Sequence, residues 1–226
     1  MTQIQELAPH FFRISLMGED FMNAYLLDDV LVDSGPRFAG GKLLSMLEGH
    51  PLTAHALTHA HFDHQGNSRR VCTAFKIPLW CGEGDRRAVE QGEMASISTA
   101  ARQNPAWLDR ALAGPPHPVA RSLHGGDLVG GFRVLEAPGH TPGSLAFWRE
   151  EDRVLVIGDV LFHRNPITRR PGLMEPFATV THDVSRNRAS ARKLAVLQPS
   201  LVCFGHGREL RDPRHFADFI ASLPAA

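Results

Sequence analysis

The chain has 226 residues, 43% of them apolar, with 24 basic side chains balanced by 24 acidic ones. That apolar share can fill a sizeable core and excludes an intrinsically disordered chain. Zero formal net charge gives no global pull toward nucleic acid or an anionic membrane, so neither is expected as a partner.

The three cysteines, Cys72, Cys81 and Cys203, form no C-x-x-C pair. An odd, sparse set argues against a disulfide framework. The first twenty residues lack the basic start and apolar stretch of a signal peptide. No segment approaches the length of a membrane span. A soluble, cytoplasmic protein is expected.

Strand-like apolar runs begin at residues 11–16, 24–27 and 30–33. A helical pattern follows in "GGKLLSMLEG", with apolar residues at 43, 44 and 47. Further runs lie at 54–58 and 77–80, with a helix start near Asn67 or Ser68 between them. Residues 83–118 are polar, lack strand character and end in the breaker run "GPPHP". They read as a helical insertion or lid. Strand runs resume at 132–137, 145–148, 153–159 and 200–205, and helical patterns fall at 188–197 and 214–223. Strands mixed with helices, and no low-complexity linker, predict one α/β layered domain over residues 1–226.

The stretch "LTHAHFDHQGN" crowds His59, His61, Asp63 and His64 at the end of a strand-like run. Histidine and carboxylate are the usual ligands of zinc and of harder transition metals. The i, i+2 spacing of His59 and His61 predicts, on a strand, two side chains on one face. Further ligands are expected from other strand ends. The candidates are His140 in "APGHTPGS", Asp159 at the end of "VLVIGD" and His206 in "CFGHG". Open α/β sheets place their sites at such ends. The remaining histidines read as ordinary core or surface residues.

H-x-H-x-D-H at 59–64, "PGHTPGS" at 138–144, "GD" at 158–159 and "GHG" at 205–207 occur in the order that resembles the metallo-β-lactamase superfamily. "VDSG" at 32–35 resembles its N-terminal strand-end motif. The resemblance covers about residues 10 to 210. It implies a four-layer αββα sandwich with two divalent metal ions, zinc first, with manganese and iron as alternatives. His59, His61 and His140 would hold one metal, Asp63, His64 and His206 the other, and Asp159 would bridge them. Asp33 would support the ligand loop from behind. A metal-bridging hydroxide would then hydrolyse the substrate, oriented by Asp63. No G-x-S-x-G motif offers a protein nucleophile.

Within the superfamily, Asp159 argues against β-lactam cleavage, His61 against flavin-linked di-iron reductases, and the neutral charge against RNA processing. The chain is similar to glyoxalase II and the acyl-homoserine lactonases, which points to an ester, lactone or thioester. The alternatives are a phosphodiesterase, a non-catalytic metal-binding module, and a sulfur dioxygenase with one iron on His59, His140 and Asp159. Tyr25 and Cys203 read as core residues. Arg164, Arg169 and Arg170 lie in "HRNPITRRPG", inside a basic segment that starts five residues after Asp159. They are expected to recognise an anionic group on a small-molecule substrate.

Overall fold

The computed structural model describes residues 3–93, 97 and 114–225. Seven strands form the first sheet in chain order: β1 Gln3–Ala8, β2 Phe11–Met17, β3 Met22–Leu27, β4 Val30–Val32, β5 Ala54–Ala56, β6 Leu79–Gly82 and β7 Arg121–Leu123. β1 to β4 run antiparallel, and β4 to β7 run parallel. The parallel pairs need crossovers. Those contain helices α1 Gly40–Leu47, α2 Phe62–Gln65, α3 Ser68–Phe75 and α4 Arg86–Gln91.

The second sheet contains β8 Leu128–Val129, β9 Phe132–Glu136, β10 Leu145–Arg149, β11 Val154–Val156 and β14 Leu201–Cys203, in the order β14-β11-β10-β9-β8. A separate hairpin pairs β12 Phe162–Arg164 with β13 Pro171–Met174. Helix α5 Val184–Ala195 carries the crossover from β11 to its parallel neighbour β14. Helix α6 Pro213–Ser222 closes the chain, its first turn capped by Asp212, whose carboxylate accepts from the Arg214 and His215 N–H groups.

Alternation along the strands creates the layers. In β3, Ala24 and Leu26 face α1, α3 and α4, where Leu43, Leu47, Val71 and Val89 cover them. Tyr25 and Leu27 face the other way, against Phe132, Phe147 and Val156 of the second sheet. In that sheet Ala146, Leu155 and Val202 point outward beneath Leu194 of α5 and Phe216 of α6. Both sheets are therefore buried on both faces, which explains their near-continuous apolar strands. The result is the expected α/β sandwich of helices, sheet, sheet, helices.

Three sequence expectations change. The strand expected at 54–58 ends at Ala56, so His59 and His61 lie on an extended loop and not on a strand face. Backbone pairing there passes to other partners: Thr58 O accepts from Leu145 N–H of the opposite sheet. β1, β7, β8, β12 and β13 appear where no strand was expected. Of the 83–118 segment, Glu83–Asp85 forms a 3-10 turn and Arg86–Gln91 a helix. The rest of the expected lid, 94–96 and 98–113, lies outside the described residues. Among the described residues, no helix is long and apolar enough to cross a membrane.

Candidate metal centre

Loops after β4, β5, β6, β9, β11 and β14 meet at one edge of the sandwich. They deliver Asp33, then Thr58 to His64, Asp85, His140, Asp159 and His206. All five motif histidines and Asp159 are buried, and Asp63 is half-buried at the head of α2. Asp159 Oδ2 lies 3.7 Å from His59 Nε2, 3.3 Å from His64 Nε2, 3.6 Å from His140 Nε2 and 3.3 Å from His206 Nε2. His206 Nε2 also lies 3.2 Å from Asp63 Oδ2. Three sets of ligand atoms converge within 4.8 Å of one another: His59–His61–His140, His59–His64–Asp159 and Asp63–His64–His206.

Four of the five outward ring nitrogens are held. Thr58 Oγ1 donates to Asp33 Oδ2 at 2.7 Å, so it accepts from His59 Nδ1 at 3.1 Å. Asp33 Oδ2 also accepts from His64 Nδ1 at 2.9 Å. Thr181 Oγ1 donates to Phe177 O and accepts from His140 Nδ1 at 3.3 Å. His206 Nδ1 donates to Phe21 O at 2.8 Å. A proton fixed on Nδ1 leaves the Nε2 lone pair facing inward. The Nε2 atoms of His59, His61, His64 and His140, with Asp159 Oδ1, are buried and have no hydrogen-bond partner among the described residues. Buried polar atoms are ordinarily satisfied. Converging orphan nitrogens and carboxylates fit a divalent metal that takes nitrogen and oxygen ligands.

The backbone is shaped to the cluster. A Cβ on Gly205 would stand 2.1 Å from Asp159 Oδ1 and 2.5 Å from His64 Cε1. Only glycine admits the close approach, which explains the first glycine of "GHG". Asn23 Nδ2 donates to Phe204 O at 3.1 Å and Gly207 O at 2.7 Å, and Tyr25 Oη donates to Phe204 O at 2.7 Å. β3 of one sheet thereby anchors the His206 loop of the other.

Sequence reasoning missed Asp85. It is fully buried after β6, and it joins two ligand loops. Its Oδ2 accepts from Ala60 N at 2.9 Å and Thr141 Oγ1 at 2.7 Å, and its Oδ1 accepts from Gly143 N at 2.7 Å. Ala60 sits between His59 and His61, and Thr141 follows His140. Burial pushes the Asp85 carboxyl up to about 6 against the opposing pull of these three donors. The signal was present: Asp85, like Asp33 and Asp159, is an aspartate just past a parallel strand. Thr58, Thr181 and the Phe21 carbonyl carry no such signal.

Burial lowers the pKa of His61 to about 4 and of His140 to about 3. It opposes protonation of His64 and His206 as well, but the carboxylates win there. Asp159 and Asp33 hold His64 well above the ordinary imidazole range, and Asp159 with Asp63 holds His206 at about 10. Burial opposes ionisation of Asp63, yet His64 and His206 draw it down to about 2.

The predicted arginines stand apart from this cluster. Arg164 Nη1 donates to Arg169 O at 2.7 Å, and the Arg169 guanidinium lies over the Phe21 ring at 5.2 Å. Arg169 and Arg170 are exposed. None of the three lines the cleft of about 180 Å³ that reaches His61, Asp63, His140, Asp159 and His206. Elsewhere in the basic segment, Arg188 pairs with Glu175 and Arg192 donates to carbonyls after α6.

The class of protein defined by this sandwich and site is also marked by comparison. The model of the metallo-beta-lactamase superfamily matches residues 17–206, and the chain belongs to that superfamily. It is 28% identical over 193 residues to "Probable metallo-hydrolase YybB" of Bacillus subtilis (strain 168), covering 81% of this chain and 78% of that one. It is 28% identical over 151 residues to hydroxyacylglutathione hydrolase GloC of Haemophilus influenzae, covering 66% of each. The crystal structure of TTHA1623 in a di-iron-bound form superposes with a TM-score of 0.66 at 33% identity, covering 86% of this chain and 92% of that one.

Two outcomes follow from the geometry. Asp85→Asn places an amide nitrogen against one of three donors, and should lower metal affinity about 10- to 100-fold, read by competition with a chromogenic chelator. Unchanged affinity would show that the loops hold themselves. Second, ligation requires neutral imidazoles. Adding metal to the metal-free chain at pH 7 should therefore release about two protons, from His64 and His206, measurable in a pH-stat. The raised pKa values have the corresponding sign. They stabilise the metal-free fold below the ordinary imidazole pKa, and for His206 that contribution is lost as pH rises through about 10.

Proposed function

We propose that this chain is a dinuclear metal-dependent hydrolase of an ester, lactone or thioester bond. The observation that carries the reading is the position of Asp159 Oδ2, within 3.3–3.7 Å of four imidazole nitrogens and between the His59–His61–His140 and Asp63–His64–His206 triads. A tetrahedral ion takes about four ligands, so seven converging side chains suit two ions sharing Asp159. When bound, such ions lower the pKa of water toward neutrality and polarise the oxygen of a scissile carbonyl.

The remaining work falls to the chain. Asp63 reaches the cleft and is held ionised by His64 and His206. It orients the attacking water, accepts its proton and passes it to the leaving group. Asp33, Thr58, Thr181 and the Phe21 carbonyl fix the rings of His59, His64, His140 and His206. A cysteine nucleophile finds no support, since burial pushes Cys72 up to about 12 and raises Cys81 and Cys203 as well. Likeness to a hydroxyacylglutathione hydrolase supports the thioester among the three bonds. Zinc is the first expectation, and the di-iron form of TTHA1623 supports iron as the alternative. The reading with one iron on His59, His140 and Asp159 leaves Asp63, His64 and His206 convergent without a task.

Metal analysis of fully loaded protein should give two ions per chain, and His206→Ala should remove one of them. Saturation at one ion, with His206→Ala still fully loaded and active, would return the mononuclear reading. Asp63→Asn keeps the side-chain shape but cannot accept the proton. Its kcat should fall about a hundredfold or more with the fold intact. Near wild-type turnover in a metal-loaded Asp63→Asn protein would remove Asp63 from the mechanism.

A further inference from the structure

The cleft has two kinds of wall. Its floor is the polar cluster, and its sides are hydrocarbon: Phe62, Phe162, Pro166, Phe177 and Val180. The Phe162 ring stands edge-on to His206 at 4.9 Å and to His140 at 6.3 Å, with Phe177 at 6.4 Å on its far side. Phe162 is buried and pinned in the hairpin, paired with Met174. Phe177 belongs to the turn that holds His140, because its carbonyl accepts the Thr181 hydroxyl. The apolar walls and the ligand cluster are thus parts of one framework. Among the described residues, no lysine or arginine lines the cleft.

Resting on the hydrolase reading, we propose that the substrate presents a compact, uncharged apolar group of at most about six carbons beside the bond that is cut, and that these five side chains bind it. The volume sets the upper size. The cleft of about 180 Å³ also has to hold the scissile bond above its polar floor, so the apolar group is no larger than benzene, which an apolar cavity of about 150 Å³ accommodates. The charge follows from the walls. A carboxylate placed among Phe162, Phe177 and Val180 would lose its hydration without gaining a donor. Among the described residues, the walls therefore offer an anionic group no charged partner.

The test uses one neutral thiol acylated with acetyl, butanoyl, hexanoyl, decanoyl or adipoyl groups. The adipoyl substrate is the six-carbon chain ending in a carboxylate. For the metal-loaded protein, kcat/KM should rise about fourfold per added methylene up to about six carbons and then level off. Hexanoyl should exceed adipoyl at least about tenfold. Phe177→Ala should flatten the series and reduce the hexanoyl-to-acetyl ratio.

The inference is separable from the hydrolase reading through binding alone. Heptan-2-one and 6-oxoheptanoate are non-hydrolysable and differ only in a terminal methyl or carboxylate. Ligand NMR should show the ketone binding more tightly to wild type, with the preference reduced in Phe177→Ala. That result without turnover of any acyl thioester would uphold the apolar wall and remove the thioester from the three bonds proposed. Equal or tighter binding of the keto acid, or an adipoyl substrate cut as fast as hexanoyl, would overturn the apolar wall whatever the catalysis.

Discussion

A carboxylate buried against four imidazoles is the constraint around which this protein is built. Asp159 sits at the end of β11 with almost no solvent to stabilise its charge, so it requires positive charge close by. Its neighbours arrive from both sheets: His59 and His64 from the loop after β5, and His140 and His206 from the loops after β9 and β14. The alignment of the two sheets, the open space left by Gly205 and the anchoring of the His206 loop by Asn23 and Tyr25 all serve this junction.

The ligands are only as rigid as the groups behind them. Asp33 reaches His64 directly and His59 through Thr58, so one carboxylate orients two rings. Asp85 does the analogous work on the backbone, tying the 59–61 segment to the 140–143 turn. Neither faces the cleft. Two buried aspartates set the histidine loops from behind, while Asp63 and Asp159 face the cleft. Three strand-end aspartates and one helix-head aspartate thus divide into those that face the cleft and those that do not.

Much of this was legible in the sequence, for identifiable reasons. Core strands of a sheet buried on both faces read as apolar runs, and β3, β10, β11 and β14 are such strands. β1 is an edge strand with alternating polar residues, β7 and β8 are short edge strands, and β13 opens on a proline, so periodicity did not reveal them. The seven candidate ligands stood out because their motifs recur in order, and the structure gathers all of them. Arg164, Arg169 and Arg170 stood out through their loop and the basic segment around it, and none of them lines the described cleft; Arg169 lies over Phe21. The apolar cleft was not readable, because Phe62, Phe162, Phe177 and Val180 meet only through loops with no periodic signal.

The spread of the ligands along the chain also bears on how the protein matures. Side chains from residue 59 to residue 206 must meet, and the encounters of the 59–64 segment with His140, Asp159 and His206 span two sheets and several crossovers. Contacts of such long sequence separation form late, after the loop-closure entropy has been overcome by packing of the layers. In a small finger the ligands are neighbours in sequence and the metal can drive folding; here a metal ion would meet its full ligand set only once both sheets had packed.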